Sequence, residues 1–308
     1  MSEGAAGRFV SGFVSILGRP NVGKSTLLNA LVGAKLAIVT PKPQTTRNLI
    51  QGVLHLPGAQ VIFVDTPGIH KPDTLFNQRM LETVKSALDE RDLLLFVVDV
   101  TRRIGPEDHQ AVELIKQART PVLLLLNKID ALKDKSVLLE LIDVYRGLHS
   151  FEEYLPVSAL TGEGLDQLKE ELVRRLPEGP AYFPPDYITD QPERFLAAEL
   201  IREKILLATR EEVPHSVAVV VERWEESERL SRISATIYVE RESQKGILIG
   251  AKGSMLKKVG TEARKEMELL FNRKIFLELF VKVRPKWRED PRFLNAVDWR
   301  SMVGGEVD

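Results

Sequence analysis

The stretch Gly18-Arg-Pro-Asn-Val-Gly-Lys-Ser25 has the spacing of a phosphate-binding loop. Glycines at such positions let backbone N–H groups close around phosphate oxygens. Lys24 supplies a point charge, and Ser25 offers a hydroxyl to Mg2+. Gly18, Asn21, Val22, Gly23, Lys24, Ser25 and Thr26 are the candidate phosphate contacts. Asp65-Thr-Pro-Gly68 follows. Asp65 closes an apolar run and is placed to hold Mg2+ through water, and the Gly68 N–H is placed to meet a terminal phosphate.

Asn127-Lys-Ile-Asp130 directly follows the short apolar run Pro121-Val-Leu-Leu-Leu-Leu126, which reads as a strand buried on both faces. A carboxylate there accepts two hydrogen bonds, from guanine N1–H and the 2-amino group. Adenine presents no such pair, so a buried Asp130 would be left unpaired at a cost. The segment is similar to the N-K-x-D element of GTPases. Ser158-Ala159-Leu160, after Tyr154-Leu-Pro-Val157, is similar to the base-contacting S-A-x that accompanies it. Asn127, Lys128, Asp130, Ser158, Ala159 and Leu160 are the candidate base contacts, and GTP or GDP is the expected nucleotide.

These residues need a scaffold that brings strand ends together. Apolar runs at Phe9–Leu17, Gln60–Val64, Leu93–Val98, Val122–Leu126 and Tyr154–Val157 alternate with helical stretches such as Phe76–Leu88 and Glu107–Gln117. That alternation predicts an α/β domain with a mostly parallel sheet and helices on both faces. The phosphate loop falls between the first strand and a helix beginning near Ser25, where partial positive charge and free N–H donors suit an anion. Four prolines and a glycine between Leu172 and Asp186 mark a boundary. The expected organisation is a GTP-binding domain over 1–176, a linker over 177–190 and a second domain over 191–308.

The second domain reads differently. Pro192–Arg210 is amphipathic, Val217–Val221 and Ile233–Val239 read as strands, Ser254–Phe271 as a helix and Ile275–Val283 as a third strand. The net charge of −1 conceals an asymmetry. Lys245 to Arg288 carries twelve Lys or Arg against four Asp or Glu, whereas the remainder holds 31 against 40. Such a block reads as a footprint for polyanions. Within it, Gly246-Ile-Leu-Ile249 leads into Gly250-Ala-Lys-Gly253-Ser254, which resembles the I-G-x-x-G of KH domains. The α-β-β-α-α-β order matches their type II arrangement. Small loop residues let a sugar-phosphate backbone approach while Lys252 and helix dipoles attract it. Gly246, Ile249, Gly250, Ala251, Lys252, Gly253, Ser254, Lys257, Lys258, Lys282, Arg284 and Lys286 are the candidate RNA contacts. Met255, Leu256, Val259, Ala263, Met267 and Leu270 fall at helical spacing and read as core.

A GTPase domain followed by a KH domain resembles the Era family of bacterial GTPases over essentially the whole length. Pro43-Gln-Thr-Thr-Arg47, Glu212-Val-Pro-His-Ser216 and the basic stretch Lys282-Val-Arg-Pro-Lys-Trp-Arg288 belong to the resemblance. It implies an α/β P-loop GTPase domain, an α+β type II KH domain, and binding near the 3′ end of small-subunit ribosomal RNA during subunit assembly. It also implies that a threonine of the first switch completes the metal shell. Thr45 and Thr46 are both available. Thr46 is favoured because the threonine immediately before Arg is the usual ligand in related GTPases. Lys24, Thr46, Asp65 and Gly68 are thus the catalytic set, and Ser25, Thr46 and Asp65 the metal set.

Signalling GTPases usually carry after this glycine a Gln that orients the attacking water. Ile69 stands here and cannot hydrogen-bond through its side chain, so slow intrinsic hydrolysis is expected. Asn21 is similar to the loop asparagine of GTPases that place K+ where an arginine finger otherwise sits, which makes K+ a candidate cofactor beside Mg2+. Arg47 and His70 are weaker catalytic candidates, since switch residues of these types are commonly only solvated. The absence of cysteine excludes disulfides and thiolate metal sites. No apolar run approaches the ~18 residues of a membrane helix, and the N-terminus has no secretory apolar region, so a cytoplasmic monomer is expected. One alternative stays open, a membrane-associated signalling GTPase whose basic block touches lipid headgroups at the inner face of the membrane.

Overall fold

The computed structural model describes residues 8–69, 73–88, 91–210, 213–227 and 229–298. Two compact units emerge. In their described parts, the first comprises 8–37, 46–69 and 80–190, and the second comprises 38–45, 73–79 and 191–298.

The first unit is an α/β sandwich. Its strands are β1 (Val10–Leu17), β2 (Ile50–Leu56), β3 (Ala59–Asp65), β4 (Leu93–Asp99), β5 (Val122–Asn127) and β6 (Glu153–Val157). They form one sheet in the order β2-β3-β1-β4-β5-β6, parallel except for β2, which runs antiparallel to β3. β3, β4 and β5 are buried along their full length, as continuous apolar strands covered on both faces must be. One face packs with α1 (Lys24–Val32) and α5 (Leu165–Arg175), through Leu27, Leu28, Leu168 and Leu172. The other packs with α2 (Leu75–Ser86), α3 (Pro106–Ile115) and α4 (Val137–Leu148), through Val84, Val112 and Tyr145. The five parallel strands end at Leu17, Asp65, Asp99, Asn127 and Val157, so the phosphate-loop, Asp65–Gly68, Asn127–Asp130 and Ser158–Leu160 motifs lie at or just beyond the carboxyl edge of the sheet.

Two features depart from the sequence reading. β2 is a sixth strand, absent from the expected set. Gly52 interrupts its apolar pattern because a Cβ there would lie 2.9 Å from the side chains of Leu28, Val32 and Leu36. Residues 177–190 are not free chain. Gln60 at the edge of the sheet accepts the N–H groups of Tyr182 and Phe183 and donates to the Phe183 carbonyl, while Val53 N–H donates to Ile188 O at 2.9 Å. The prolines that suggest a linker here serve an extended strap laid on β1 to β3.

The second unit runs α6 (Glu193–Ala208), β7 (Ala218–Glu226), β8 (Leu230–Val239), α7 (Glu242–Ile249), α8 (Ser254–Leu270), β9 (Lys274–Val283) and α9 (Pro291–Val297). The sheet order is β7-β8-β9, antiparallel then parallel. This is the α-β-β-α-α-β order expected. Its core joins Leu200, Ile201 and Ile205 of α6 to Ile233, Ala235 and Ile237 of β8 and to Val259, Ala263 and Met267 of α8. Trp287 is fully buried, donating to Ser216 O at 2.8 Å and meeting Phe76 and Phe293 edge-on. Arg202, paired with Glu199, also donates to the carbonyl oxygens of Gln44 and Thr45.

Candidate functional site

At the carboxyl edge of the first sheet the loop 18–25 is built for an anion. Gly18 and Gly23 have φ of 149° and 103°, and Asn21 shares the left-handed region at 63°. A Cβ at Gly18 would lie 2.3 Å from Val97 O, and one at Gly23 would lie 2.4 Å from Asn127 Nδ2. Glycine is therefore demanded at both places by conformation and by space. Lys24 Nζ donates to the carbonyls of Gly18 (3.0 Å) and Arg19 (3.1 Å), curling over the loop from α1. Burial pushes the Lys24 ammonium down to about 8, only partly opposed by Asp65.

Three oxygens converge beside it. Ser25 Oγ lies 2.7 Å from Asp65 Oδ2, to which it donates, and 2.7 Å from Thr46 Oγ1. Asp65 Oδ1 is buried without a hydrogen-bond partner. Burial pushes the Asp65 carboxyl up to about 6, against the opposing pull of Lys24, Ser25 and Thr46. A buried carboxylate with an unanswered oxygen and two adjacent hydroxyls suits a hard divalent cation. Thr45 is not part of this set. Its hydroxyl is engaged with Lys42 O and Thr40 Oγ1, both at 2.7 Å. Of the two threonines, geometry therefore brings Thr46 to the carboxylate. Among the described residues no group of three or more His, Asp and Glu could hold a metal elsewhere.

Asn127 is a clamp. Its Nδ2 donates to Val22 O at 2.7 Å and its Oδ1 accepts from Ala159 N–H at 2.9 Å, tying the phosphate loop to the segment after β6. Lys128, itself at φ 71°, donates to Asn21 O and to Asp99 Oδ2, both at 2.7 Å. Burial raises Asp99, but bonds from Lys128 and Thr101 outweigh it and hold the carboxyl below the usual range. Ser158 Oγ donates to Asp130 Oδ1 at 2.6 Å, which anchors one oxygen of the carboxylate. Asp130 is exposed, not buried as the sequence reading expected, because it sits on the short turn Ile129–Ala131 past the strand end. Leu160 is 78% exposed. Thr26 stands in the first turn of α1.

Gly68 lies against Pro20 of the phosphate loop, where a Cβ would come within 2.7 Å of Pro20 Cγ. Ile69 is 5% exposed and packs into the core with Leu17 and Val84. It is a core residue as well as a missing catalytic polar group. His70 lies outside the described residues. Sequence reasoning missed Asp99, which positions Lys128, and the buried pair at 2.9 Å between Arg19 of the loop and Asp108 of α3. Neither carries a motif, since their partners are 29 and 89 residues away.

The second unit presents a separate surface. The Gly250–Gly253 turn joins α7 to α8, with φ of 71° and 78° at its two glycines. A Cβ at Gly250 would lie 2.8 Å from Met255 Cβ, whereas Gly253 faces open space. Lys252 stands exposed at the tip with φ 51°. Gly246 and Ile249 lie on α7, Ala251 in the turn, and Ser254 opens α8. Gly253, Leu256, Lys257, Gly260, Leu277 and Leu279 line a groove of about 380 Å³ between α8 and β9. Leu256 is thus a groove residue and not only core, whereas Val259, Ala263 and Met267 are buried as expected. Lys258 is turned towards Glu262, 4.0 Å away. Lys282, Arg284 and Lys286 are not in the groove. Lys282 lies 3.5 Å from Glu222, and Arg284 pairs with Asp290 at 2.6 Å. Lys286 is exposed beyond β9.

Two family models match the chain, a 50S ribosome-binding GTPase over residues 13–128 and a KH domain over 212–288. GTPase Era of Syntrophus aciditrophicus is 57% identical over 296 residues, 96% of each chain. GTPase Era of Geobacter metallireducens is 52% identical over 94% of this chain and 98% of its own. Among solved structures, Aquifex aeolicus Era bound to GDP and AlF4− matches with a TM-score of 0.91 at 43% identity. It covers 94% of this chain and 99% of that one. Era in complex with MgGDPNP and nucleotides 1506–1542 of 16S ribosomal RNA matches at 0.92, with the same identity and coverage. At these identities over nearly the full length, this chain belongs to the Era family, GTPases with a KH domain.

Proposed function

We propose that the protein is a GTP-dependent switch that binds small-subunit ribosomal RNA near its 3′ end and acts in assembly of that subunit. The observation that carries this reading is the Gly250–Gly253 turn. Both glycines stand at positive φ beside an open groove whose lining includes Lys257 and Arg264, in a chain similar to an Era solved with 16S ribosomal RNA. The GTP-binding part is assigned to 1–176, with 177–190 leading to the RNA-binding part at 191–308.

Within the nucleotide site, Gly18 to Thr26 hold the phosphates, Asn127, Asp130 and Ser158 to Leu160 frame the guanine, and Lys128 braces the phosphate loop. Asp65 Oδ1 and the hydroxyls of Ser25 and Thr46 fit Mg2+. When bound, that ion supplies charge neutralisation for the transferring phosphoryl group. The chain's own part is positional. Lys24 is held over the loop as a cation, Gly68 is seated against Pro20, and Asn127 locks phosphate loop and base loop to one another. Ile69 contributes no proton or water contact, so intrinsic turnover is slow.

Ile69→Val tests that last point without opening the core. The lost methyl costs about 0.5–1.5 kcal/mol of stability, whereas Ile69→Ala would cost roughly 2–5 kcal/mol and confound the assay. Hydrolysis by Ile69→Val should stay within a few fold of the parent. A drop of ~10²-fold or more, the size expected for removing a catalytic group, would give Ile69 a direct role. The same assay in K+ and in Na+ tests Asn21, and equal rates would remove K+ as a cofactor.

Crosslinking the purified protein to total RNA and sequencing the adducts tests the RNA assignment. Adducts should concentrate at the 3′ end of the small-subunit ribosomal RNA and should fall away in Lys252→Ala. Adducts scattered over unrelated RNA would contradict it.

A further inference from the structure

At the far end of α8 from the Gly250–Gly253 turn lies a second open pocket, about 730 Å³, lined by the polar residues Arg229, Lys265, Glu268, Asn272, Arg273 and Lys274 and by one apolar side chain, Leu269. Its charges are unequally spent. Each carboxylate of α8 is answered: Glu262 by Lys258, Glu266 by Lys204, and Glu268 by Arg264 and the Ile275 N–H. Arg273 is likewise spent on Glu193 and Glu226. Arg229, Lys265 and Lys274 are exposed and make no ion pair among the described residues. Lys274 also acts through space on Glu268, but three cations outside any ion pair still rim the pocket, enough to outweigh the partial negative charge at a helix C-terminus.

The pocket continues a surface already described. Lys257, Thr261 and Arg264 line the groove, and Lys265, Glu268 and Asn272 line the pocket. Lys257, Thr261, Lys265 and Glu268 follow one another at steps of four, four and three residues and so share one face of α8, with Lys257 and Lys265 about 12 Å apart along the axis. We propose that this pocket is a second phosphodiester site, in which Lys265, Lys274 and Arg229 hold phosphates of an RNA strand whose neighbouring nucleotides occupy the groove. The inference rests on the RNA reading above. An anionic membrane is the less fitting occupant. Leu269, 84% exposed, stands alone among the cations, and an interfacial helix needs a continuous apolar face.

Two oligoribonucleotides separate the outcomes, one of about four nucleotides that fills a KH groove and one extended well beyond it. With full-length Lys265→Ala/Lys274→Ala, affinity for the long RNA should fall about 10-fold. Its slope of log K against log salt should flatten by about 1.4, near 0.7 per lost contact on a single strand. Affinity for the short RNA should not change. An unchanged long-RNA slope overturns the proposal, and so does an equal loss on both RNAs, since the pocket would then not be separate. Loss of binding to phosphatidylglycerol vesicles with RNA binding intact gives the pocket to a membrane and overturns it too. If the parent protein binds neither RNA, the RNA reading itself fails and the pocket proposal falls with it.

Discussion

Asp130→Asn is expected to cost about 10²- to 10⁴-fold in GTP affinity, two charge-assisted hydrogen bonds at roughly 1.5–3 kcal/mol each. The geometry says why the effect should be specific. Ser158 Oγ holds Asp130 Oδ1 at 2.6 Å, so in the variant the amide oxygen is expected to keep that bond and the nitrogen to replace the other oxygen, Oδ2. An N–H2 there repels the guanine 2-amino group and donates to the 2-oxo group of xanthine. Affinity for xanthosine nucleotides should rise as affinity for GTP falls. Asp130 is exposed on a short turn, so the exchange leaves the core intact. Titration of both nucleotides with the variant is the check, and a retained preference for GTP would show that Asp130 does not read the base.

Gly253→Asp is the counterpart in the second unit, with an expected loss of about 10- to 100-fold in RNA affinity from repulsion of the approaching phosphates. The position is favourable for the test. Its φ of 78° lies where Asp is tolerated better than most residues, a Cβ there meets nothing within 4 Å, and it is the residue that caps α8. The variant should fold, and its GTP affinity should match the parent. Gly250→Asp is a poorer probe, because a Cβ there would lie 2.8 Å from Met255 Cβ. Normal RNA binding by Gly253→Asp would remove the turn from the RNA interface.

Much of this was legible in the residues because the fold concentrates chemistry at strand ends. The phosphate loop, Asp65, Asn127–Asp130 and Ser158–Leu160 each follow an apolar run that announces its own strand, and a parallel sheet brings such ends together. The type II order of the second unit was legible for a similar reason, its helices and strands having clean periodicity. What stayed hidden depends on partners far along the chain. Asp99 means nothing until Lys128 reaches it, and Gln60 is an ordinary strand residue until the 177–190 strap bonds to it. Leu256 reads as core by spacing, yet it lines an open groove together with Leu277 and Leu279 of β9. β2 was masked by Gly52, whose missing side chain makes room for α1. Lys282 and Arg284 look like RNA contacts by charge, and the sequence does not show that Glu222 and Asp290 pair with them.

The central claim is that one chain couples a guanine nucleotide to an RNA strand, and a single titration addresses it. Affinity for the 3′-terminal segment of small-subunit ribosomal RNA should be measured with a non-hydrolysable GTP analogue and again with GDP. RNA binding should be tighter with the analogue, and RNA should tighten binding of the analogue relative to GDP by the same factor, as linkage requires. RNA affinity that is the same with both nucleotides would contradict the switch, even with both sites intact.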